Sequence, residues 1–160
     1  MDILGTGRSL LQMTYDRFLE VADKDRFFVI TYKKYVNLVK EQLPELEDHQ
    51  ILSEPNRKNT ATCIAYACYK VNSIDPGASM IVTPADHLIL QEGKFVKTIQ
   101  KALKAATIEG RLITVGIKPN RPETGYGYIQ YLESKNSEEA LKVKTFTEKP
   151  NSKLAKTFIE

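Results

Sequence analysis

One carboxylate, Asp86, stands where a protein could hold a metal ion. The apolar run at residues 80–83 predicts a buried strand, and Pro84 ends it because proline cannot donate to a sheet ladder. In open α/β sheets, ligands collect just outside the carboxyl ends of the strands. The alternative is that Asp86 only closes a turn, as aspartate often does. Position alone leaves both interpretations open.

Three other polar or glycine-rich segments also follow predicted strands. These three segments are residues 54–60, 123–128 and 147–150, and residues 84–87 make a fourth. The carboxyl ends of parallel strands gather on one rim of a sheet, and clefts at that rim are common ligand sites. The sequence therefore predicts that these four segments line one cleft.

Strands and helices alternate along the first part of the chain, up to residue 117. Strands are predicted at residues 27–31, 51–52, 80–83 and 112–117, and helices at residues 10–22, 33–43, 61–74 and 92–107. Ser9 is the predicted N-cap of the first helix, and Gly110 the residue that ends the fourth. Such alternation predicts an α/β fold, a Rossmann-like, mostly parallel sheet with helices on both faces.

The pattern changes after residue 117. A proline-rich loop comes first, followed by predicted strands at residues 125–131 and 143–146 and a last helix that begins near residue 153. We therefore expect one partial domain over residues 1–160, with an alternating half at residues 1–117 and the start of a second half at residues 118–160.

Composition narrows the class of protein. The 160 residues include 23 Lys and Arg against 20 Asp and Glu, a net charge of +3. This charge is too mild to indicate nucleic-acid binding, but it is compatible with a small anionic substrate. No apolar run approaches the roughly 20 residues that span a bilayer, and no signal peptide is visible. We expect a protein that binds neither nucleic acid nor membrane.

The two cysteines, Cys63 and Cys68, fall on one predicted helix. Five residues correspond to about 140° around a helix, so the two thiols point apart. A disulfide or a shared metal site is disfavoured, and buried free thiols in a reducing compartment are the simpler interpretation. This favours a cytoplasmic protein.

Four motifs in this chain resemble those of one enzyme family. They are Glu-Pro-Asn-Arg-Lys-Asn-Thr-Ala at 54–61, Thr-Pro-Ala-Asp-His at 83–87, Lys-Pro-Asn-Arg-Pro-Glu-Thr-Gly-Tyr-Gly-Tyr-Ile at 118–129 and Phe-Thr-Glu-Lys-Pro at 146–150. In this order and spacing, and over nearly the whole chain, they resemble the mannose-1-phosphate guanylyltransferases, also called GDP-mannose pyrophosphorylases. The Arg-x-Asn-Thr loop disfavours the neighbouring enzymes that use uridine or thymidine nucleotides.

The resemblance implies that residues 1–117 form a nucleotide-binding half and that residues 118–160 begin a sugar-binding half. It also implies a role for each site residue. It assigns nucleotide binding to Glu54, Arg57, Asn59 and Thr60, sugar binding to Gly127, Tyr128 and Glu148, metal binding and catalysis to Asp86, and catalysis at the sugar phosphate to Lys149. These roles agree with the chemistry of the side chains. A carboxylate accepts hydrogen bonds from hydroxyl groups, a lysine attracts a phosphate as a point charge, and Mg²⁺ prefers oxygen ligands.

The resemblance also implies a reaction. Mannose 1-phosphate would attack the α-phosphorus of GTP in line, giving GDP-mannose and pyrophosphate with Mg²⁺ as cofactor. The nucleophile is already an anion and needs no general base. Catalysis would consist of aligning two anions and neutralising their charge.

Departures from the family pattern suggest an internal fragment. The family opens with a strand and a glycine-rich loop that grips the triphosphate, and this pattern does not occur in the printed sequence, nor does a second metal-binding aspartate. Lys58 and Thr62 also stand where the family usually has Arg and often has Pro. We expect the 160-residue chain to be inactive by itself, and either poorly stable or self-associating, which leaves a homodimer open. A non-catalytic module that binds a sugar nucleotide or regulates a partner is the alternative.

Overall fold

The structure is a computed structural model that describes residues 2, 4–54, 56, 58–108, 111–133 and 140–159. The chain divides into two compact units, Met1–Leu103 and Lys104–Glu160. Gly110, the predicted end of the fourth helix, lies outside the described residues. None of the helices in the described ranges has the length and apolar character needed to cross a membrane.

In the first unit helices and strands alternate as far as residue 74, and no strand among the described residues separates the helix that ends there from the next one. The helices and strands of this unit are α1 (Leu10–Phe18), β1 (Val29–Tyr32), α2 (Val36–Gln42), β2 (Ile51–Glu54), α3 (Asn59–Ile74) and α4 (Glu92–Ala106). Short 3-10 helices lie at Lys24–Arg26, Lys33–Tyr35 and Asp48–Gln50. The last three residues of α4 belong to the second unit. The second unit contains β3 (Tyr128–Tyr131), β4 (Val143–Thr147) and α5 (Ser152–Thr157).

The first helix begins where the sequence predicts. The Ser9 hydroxyl accepts a hydrogen bond from the Gln12 N–H at 3.2 Å, and the Gln12 side-chain oxygen accepts one from the Ser9 N–H at 2.9 Å. This capping box satisfies two N–H groups that the helix itself leaves without partners. The predicted end at Ala22 is wrong, because α1 ends at Phe18 and the chain continues in turns, one closed by Val21 N–H to Phe18 C=O at 2.9 Å.

The core of the first unit forms where α1 and α2 meet a parallel pair of strands. Strands β1 and β2 run parallel, with Val29 opposite Ile51 and Tyr32 opposite Glu54. The buried cluster is Tyr15, Val39, Leu43, Leu46 and Ile51, in which Leu43 is fully buried. A parallel sheet with helices packed on it confirms the α/β class.

Two predicted strands are wrong. Residues 80–83 and 112–117 belong to no hydrogen-bonded ladder among the residues that the structure describes. Their apolar, β-branched composition suits a strand, but a strand exists only where a neighbour pairs with its backbone. Without such a neighbour among the described residues, most of their side chains are exposed, and Leu112 is 100% exposed.

Helix α3 confirms its predicted bounds within two residues but is far more exposed than its composition suggests. Lys70 is its one charged residue, and Ala67 its one buried residue among those described. Tyr69 and Ile74 are largely exposed. The helix therefore buries little of its apolar surface within this chain.

Arg17 joins α1 to α4 in a way that the sequence pattern did not indicate. Its side chain is only 3% exposed. The Nε atom donates to Glu92 Oε1 at 3.0 Å, and the guanidinium lies 5.8 Å from the centre of the Phe95 ring. A charged residue on a helix normally faces solvent, and here ion pairing and the aromatic face compensate for its burial.

The second unit is built on an antiparallel pair. Strand β3 pairs with β4, with Tyr128 opposite Thr147 and Ile129 opposite Phe146. Helix α5 follows, and its N-cap Asn151 accepts a hydrogen bond from the Leu154 N–H at 2.9 Å. This pairing brings the residues before β3 beside the residues after β4.

Candidate functional site

The predicted nucleotide-binding residues surround the start of α3. Glu54 is the last residue of β2 rather than a loop residue as predicted, and Asn59 and Thr60 are the first two residues of α3. Within the described part of the chain, the side chain of Lys58 does not cap this helix. The first four N–H groups of any helix have no partner inside the helix. Because the positive end of the helix dipole lies there too, this turn suits an anion such as phosphate. Arg57 lies outside the described residues.

The charge of Glu54 also affects the pKa of Cys63 in α3. Burial raises the pKa of the Cys63 thiol, and the negative charge of Glu54 raises it further. The thiol therefore stays protonated at neutral pH and is a poor nucleophile. Both cysteines are free, as predicted, but the predicted burial is wrong, because Cys63 is only partly buried and Cys68 is exposed.

Asp86 lies in an exposed bend that follows the unpaired residues 80–83. The hydroxyl of the buried Thr14 donates to the Ala85 carbonyl at 3.5 Å and ties this bend to α1. No group of three or more His, Cys, Asp or Glu within the described ranges could hold a metal ion. Mg²⁺ is commonly held by one or two carboxylates together with substrate phosphates and water. An exposed single carboxylate fits that arrangement and does not fit a cage built by protein alone.

The second unit places a carboxylate and an ammonium group side by side after β4. Lys149 Nζ lies 3.7 Å from Glu148 Oε1, and both side chains are exposed. The backbone at Lys149 is left-handed, with φ of +41°, immediately before Pro150. Glu148 can accept hydrogen bonds from hydroxyl groups while Lys149 attracts an anion. The pair suits a ligand that carries hydroxyls and a phosphate close together.

Gly127 faces the same carboxylate from the start of β3. A Cβ atom at this position would lie 3.0 Å from Glu148 Oε2 and 3.8 Å from the Thr147 carbonyl oxygen. The backbone here has no unusual φ angle, so the glycine matters for space alone. A side chain at residue 127 would push the end of the Glu148 side chain aside by a few tenths of an ångström.

Replacing Gly127 by alanine is expected to displace the Glu148 carboxylate without unfolding the protein. The end of a flexible side chain moves at little cost, so the free energy of unfolding should change by less than about 0.5 kcal/mol. Sugar-phosphate affinity, measured by calorimetry, should fall. Gly116→Ala is the matched control, because a Cβ there would contact nothing within 4 Å. Equal affinity of the two variants would contradict the role of Gly127.

Two predicted site residues share an unusual backbone. Within the described ranges, the non-glycine residues with positive φ are Asn59, at +68°, and Lys149, at +41°. Asparagine tolerates this region better than lysine does. A left-handed residue of this kind costs of the order of 1–3 kcal/mol and is found most often at binding sites and active sites. The strain therefore falls on residues from both the nucleotide set and the sugar-phosphate set.

Tyr128 is placed differently from its neighbours. Its hydroxyl accepts a hydrogen bond from the Glu123 N–H at 2.9 Å and donates one to the Glu123 carbonyl at 3.0 Å. The structure thus brings Gly127, Glu148 and Lys149 together and turns the Tyr128 hydroxyl to the backbone of the loop. The sequence did not indicate that the backbone of Glu123 binds the Tyr128 hydroxyl, because backbone N–H and C=O groups are the same in nearly every residue type. The convergence of all four segments on one cleft stays a prediction.

Comparisons with a family model and with known proteins point to the same family. A family model described as "Nucleotidyl transferase" matches residues 2–160. The chain is 40% identical over 159 residues to a mannose-1-phosphate guanylyltransferase of Escherichia coli, covering 95% of this chain and 34% of that protein. It is 38% identical over 164 residues to the enzyme of the same name from Salmonella montevideo, covering 98% and 34%.

A third relative carries a different name. The chain is 35% identical over 158 residues to the alginate biosynthesis protein AlgA of Pseudomonas syringae pv. tomato, covering 95% of this chain and 32% of that protein. The chain thus spans about a third of the length of the curated relatives it matches. These comparisons confirm the resemblance indicated by the four motifs, and the chain belongs to the nucleotidyl transferase family.

Proposed function

We propose that this chain carries the nucleotide and sugar-phosphate loops of a mannose-1-phosphate guanylyltransferase. The protein would make GDP-mannose and pyrophosphate from GTP and mannose 1-phosphate. The observation that carries the proposal is the placement of Glu148 and Lys149 side by side, with Gly127 leaving room above the carboxylate. Relatives named for this activity match almost the whole chain.

The sugar side of the proposed site uses three groups with distinct tasks. Glu148 would accept hydrogen bonds from two hydroxyl groups of mannose, since a carboxylate has acceptor sites on both oxygens. Lys149 would neutralise the phosphate of mannose 1-phosphate. Gly127 would let the sugar approach the backbone, because no side chain stands in the way. Sugar and phosphate recognition would then fall on neighbouring residues.

The nucleotide side would use the start of α3 and the loop before it. Asn59 and Thr60 are exposed in the first turn of α3, and Glu54 ends the strand that precedes it. Carboxylate, amide and hydroxyl groups can read the hydrogen-bonding edge of a guanine base and the ribose hydroxyls. Arg57, in the same motif, would contribute a charged donor. We propose these four residues as the guanosine site.

The reaction follows from the charges of the substrates. A phosphate oxygen of mannose 1-phosphate forms a bond to the α-phosphorus of GTP. The bond from that phosphorus to the oxygen bridging to the β-phosphate breaks, and pyrophosphate leaves with the electron pair. Bound Mg²⁺ would supply charge neutralisation at the phosphates. Lys149 does the same at the sugar phosphate and holds the nucleophile in place.

Asp86→Asn is expected to remove the gain in GTP affinity that Mg²⁺ provides. The amide keeps the shape of the side chain but loses the charge that a hard cation needs. Calorimetric titration of GTP with and without MgCl₂ measures the effect. Asp25→Asn, which removes an exposed carboxylate elsewhere in the first unit, is the control. If Mg²⁺ improved GTP binding equally in wild type and Asp86→Asn, the metal assignment would be wrong.

Nucleotide choice tests the proposed function itself. We expect GDP-mannose to bind at least about tenfold more tightly than UDP-glucose, a difference of roughly 1.4 kcal/mol. Equal affinities, or tighter binding of UDP-glucose, would exclude a guanosine site. Pyrophosphate release from GTP and mannose 1-phosphate, measured on the protein as it occurs in the cell, then separates a transferase from a binding module. We place that protein in the cytoplasm, where free thiols such as Cys63 and Cys68 persist.

A further inference from the structure

The loop before β3 is closed by one side chain. The Tyr128 hydroxyl makes two hydrogen bonds to the same residue, one with the N–H and one with the C=O of Glu123, at 2.9 and 3.0 Å. A phenol can donate one hydrogen bond, and the Glu123 carbonyl accepts it. The hydroxyl is therefore occupied as a donor by the protein itself. The segment between the two residues contains Gly125, Tyr126 and Gly127.

Tyr128 is itself fixed from two directions. Its backbone lies in β3, where it pairs with Thr147, the residue just before Glu148. Its ring packs against Phe158 at 5.3 Å between ring centres, tilted by 46°. The side chain is partly buried. A strand partner and an aromatic neighbour thus set the position from which the hydroxyl holds the loop.

Glu123 is held through its side chain as well. The Arg121 Nε donates to Glu123 Oε1, which forms an ion pair between residues two positions apart. Both backbone groups of Glu123 and its carboxylate are therefore engaged within residues 121–128. Little of the conformational freedom expected for a glycine-containing loop remains here, since each bond restricts the same short segment.

We infer that Tyr128 is a positioning residue for the sugar-phosphate site. It closes the loop of residues 123–127 and thereby keeps Gly127 against the Glu148 carboxylate. A direct hydrogen bond from its hydroxyl to sugar would require this closure to break. The ligand in this inference rests on the proposed function, whereas the closure of the loop stands on the two hydrogen bonds alone.

Amide hydrogen exchange of Tyr128→Phe tests the closure. Loss of one hydroxyl that satisfies two backbone groups should speed exchange of the Glu123 amide about two- to tenfold. Amides of β4 and α5 should keep their wild-type rates. Tyr131→Phe removes the same group from an exposed tyrosine on the same strand and should leave the Glu123 amide unchanged. An unchanged Glu123 rate in Tyr128→Phe would overturn the inference.

Ligand affinity of the same variant tests the link to the site. We expect Tyr128→Phe to bind GDP-mannose more weakly and GDP as tightly as wild type does, because only the sugar side depends on the loop. Faster exchange with unchanged GDP-mannose affinity would overturn the positioning role. Weaker affinity with unchanged exchange would instead indicate a direct sugar ligand and would also overturn it. Wild-type protein that binds no GDP-mannose would refute the proposed function, while the exchange rates would still decide the closure.

Discussion

Lys149→Met is expected to weaken the binding of mannose 1-phosphate about ten- to hundredfold. A hydrogen bond to a charged group contributes about 1.5–3 kcal/mol, and each 1.4 kcal/mol corresponds to about a tenfold change. Lys149 is exposed beside Glu148, so removal of its charge leaves the substrate phosphate facing a carboxylate without compensation. Calorimetry with mannose 1-phosphate measures the change directly.

Two further variants separate charge from backbone strain at this position. Lys153→Met removes an exposed lysine from α5 and should leave affinity at the wild-type value. Lys149→Gly relieves the left-handed conformation that lysine holds at φ of +41°, so the protein should be at least as stable as wild type while binding stays weak. Full affinity in Lys149→Met would mean that the phosphate binds elsewhere.

Leu43→Ala is expected to lower the free energy of unfolding of the first unit by about 2–5 kcal/mol. The side chain is fully buried in the cluster with Tyr15, Val39 and Ile51, and truncation leaves a cavity that the neighbours fill only in part. Small domains have only about 5–15 kcal/mol of stability in total, so this loss is a large share. Urea denaturation monitored by circular dichroism provides the measurement.

Leu38→Ala is the matched control for this prediction. Leu38 lies on the same helix, α2, and is 48% exposed. Because the residue is only partly removed from water, its truncation should cost about 1 kcal/mol or less. Similar losses in the two variants would show that the cluster around Leu43 is not the core of the unit.

Helices were the most predictable part of this fold. Apolar spacing, composition and turn signals located helices α1 to α5 of the described residues, and Ser9 was predicted as the N-cap of the first helix. Such signals are local, because capping and amphipathic spacing depend on residues within one or two turns. The burial of Arg17 was not predictable, since it depends on Glu92 and Phe95 from a distant helix.

Strands were predictable only where the chain also supplies their partner. Residues 29–32 pair with residues 51–54, and residues 128–131 pair with residues 143–147. Residues 80–83 and 112–117 have equally suitable composition but pair with nothing in the described part of the chain. Composition reports whether a segment fits a sheet, whereas pairing depends on a second segment far along the sequence.

The candidate site remains a prediction in the roles of its residues, and the structure adds only the local arrangement of some of them. The Thr-Glu-Lys-Pro motif marked Glu148 and Lys149, and the structure sets Gly127 against them through the pairing of β3 with β4. The two hydrogen bonds of Tyr128 escaped prediction, because both partners belong to the backbone of Glu123. Left-handed backbone at Asn59 and Lys149 likewise leaves no mark on residue type, since neither is glycine.

Titration of the ¹⁵N-labelled protein with GDP-mannose, followed by the amide signals of its backbone, tests the central claim most directly. Our account predicts that the signals of Gly127, Glu148 and Lys149 shift together with those of Asn59 and Thr60, while the β1 signals stay in place. GDP should shift only the signals of the proposed guanosine site, which are those of Glu54, Arg57, Asn59 and Thr60. Shifts confined to residues outside the proposed guanosine and sugar-phosphate sites, or no shift at all at millimolar GDP-mannose, would contradict a sugar-nucleotide site in this chain.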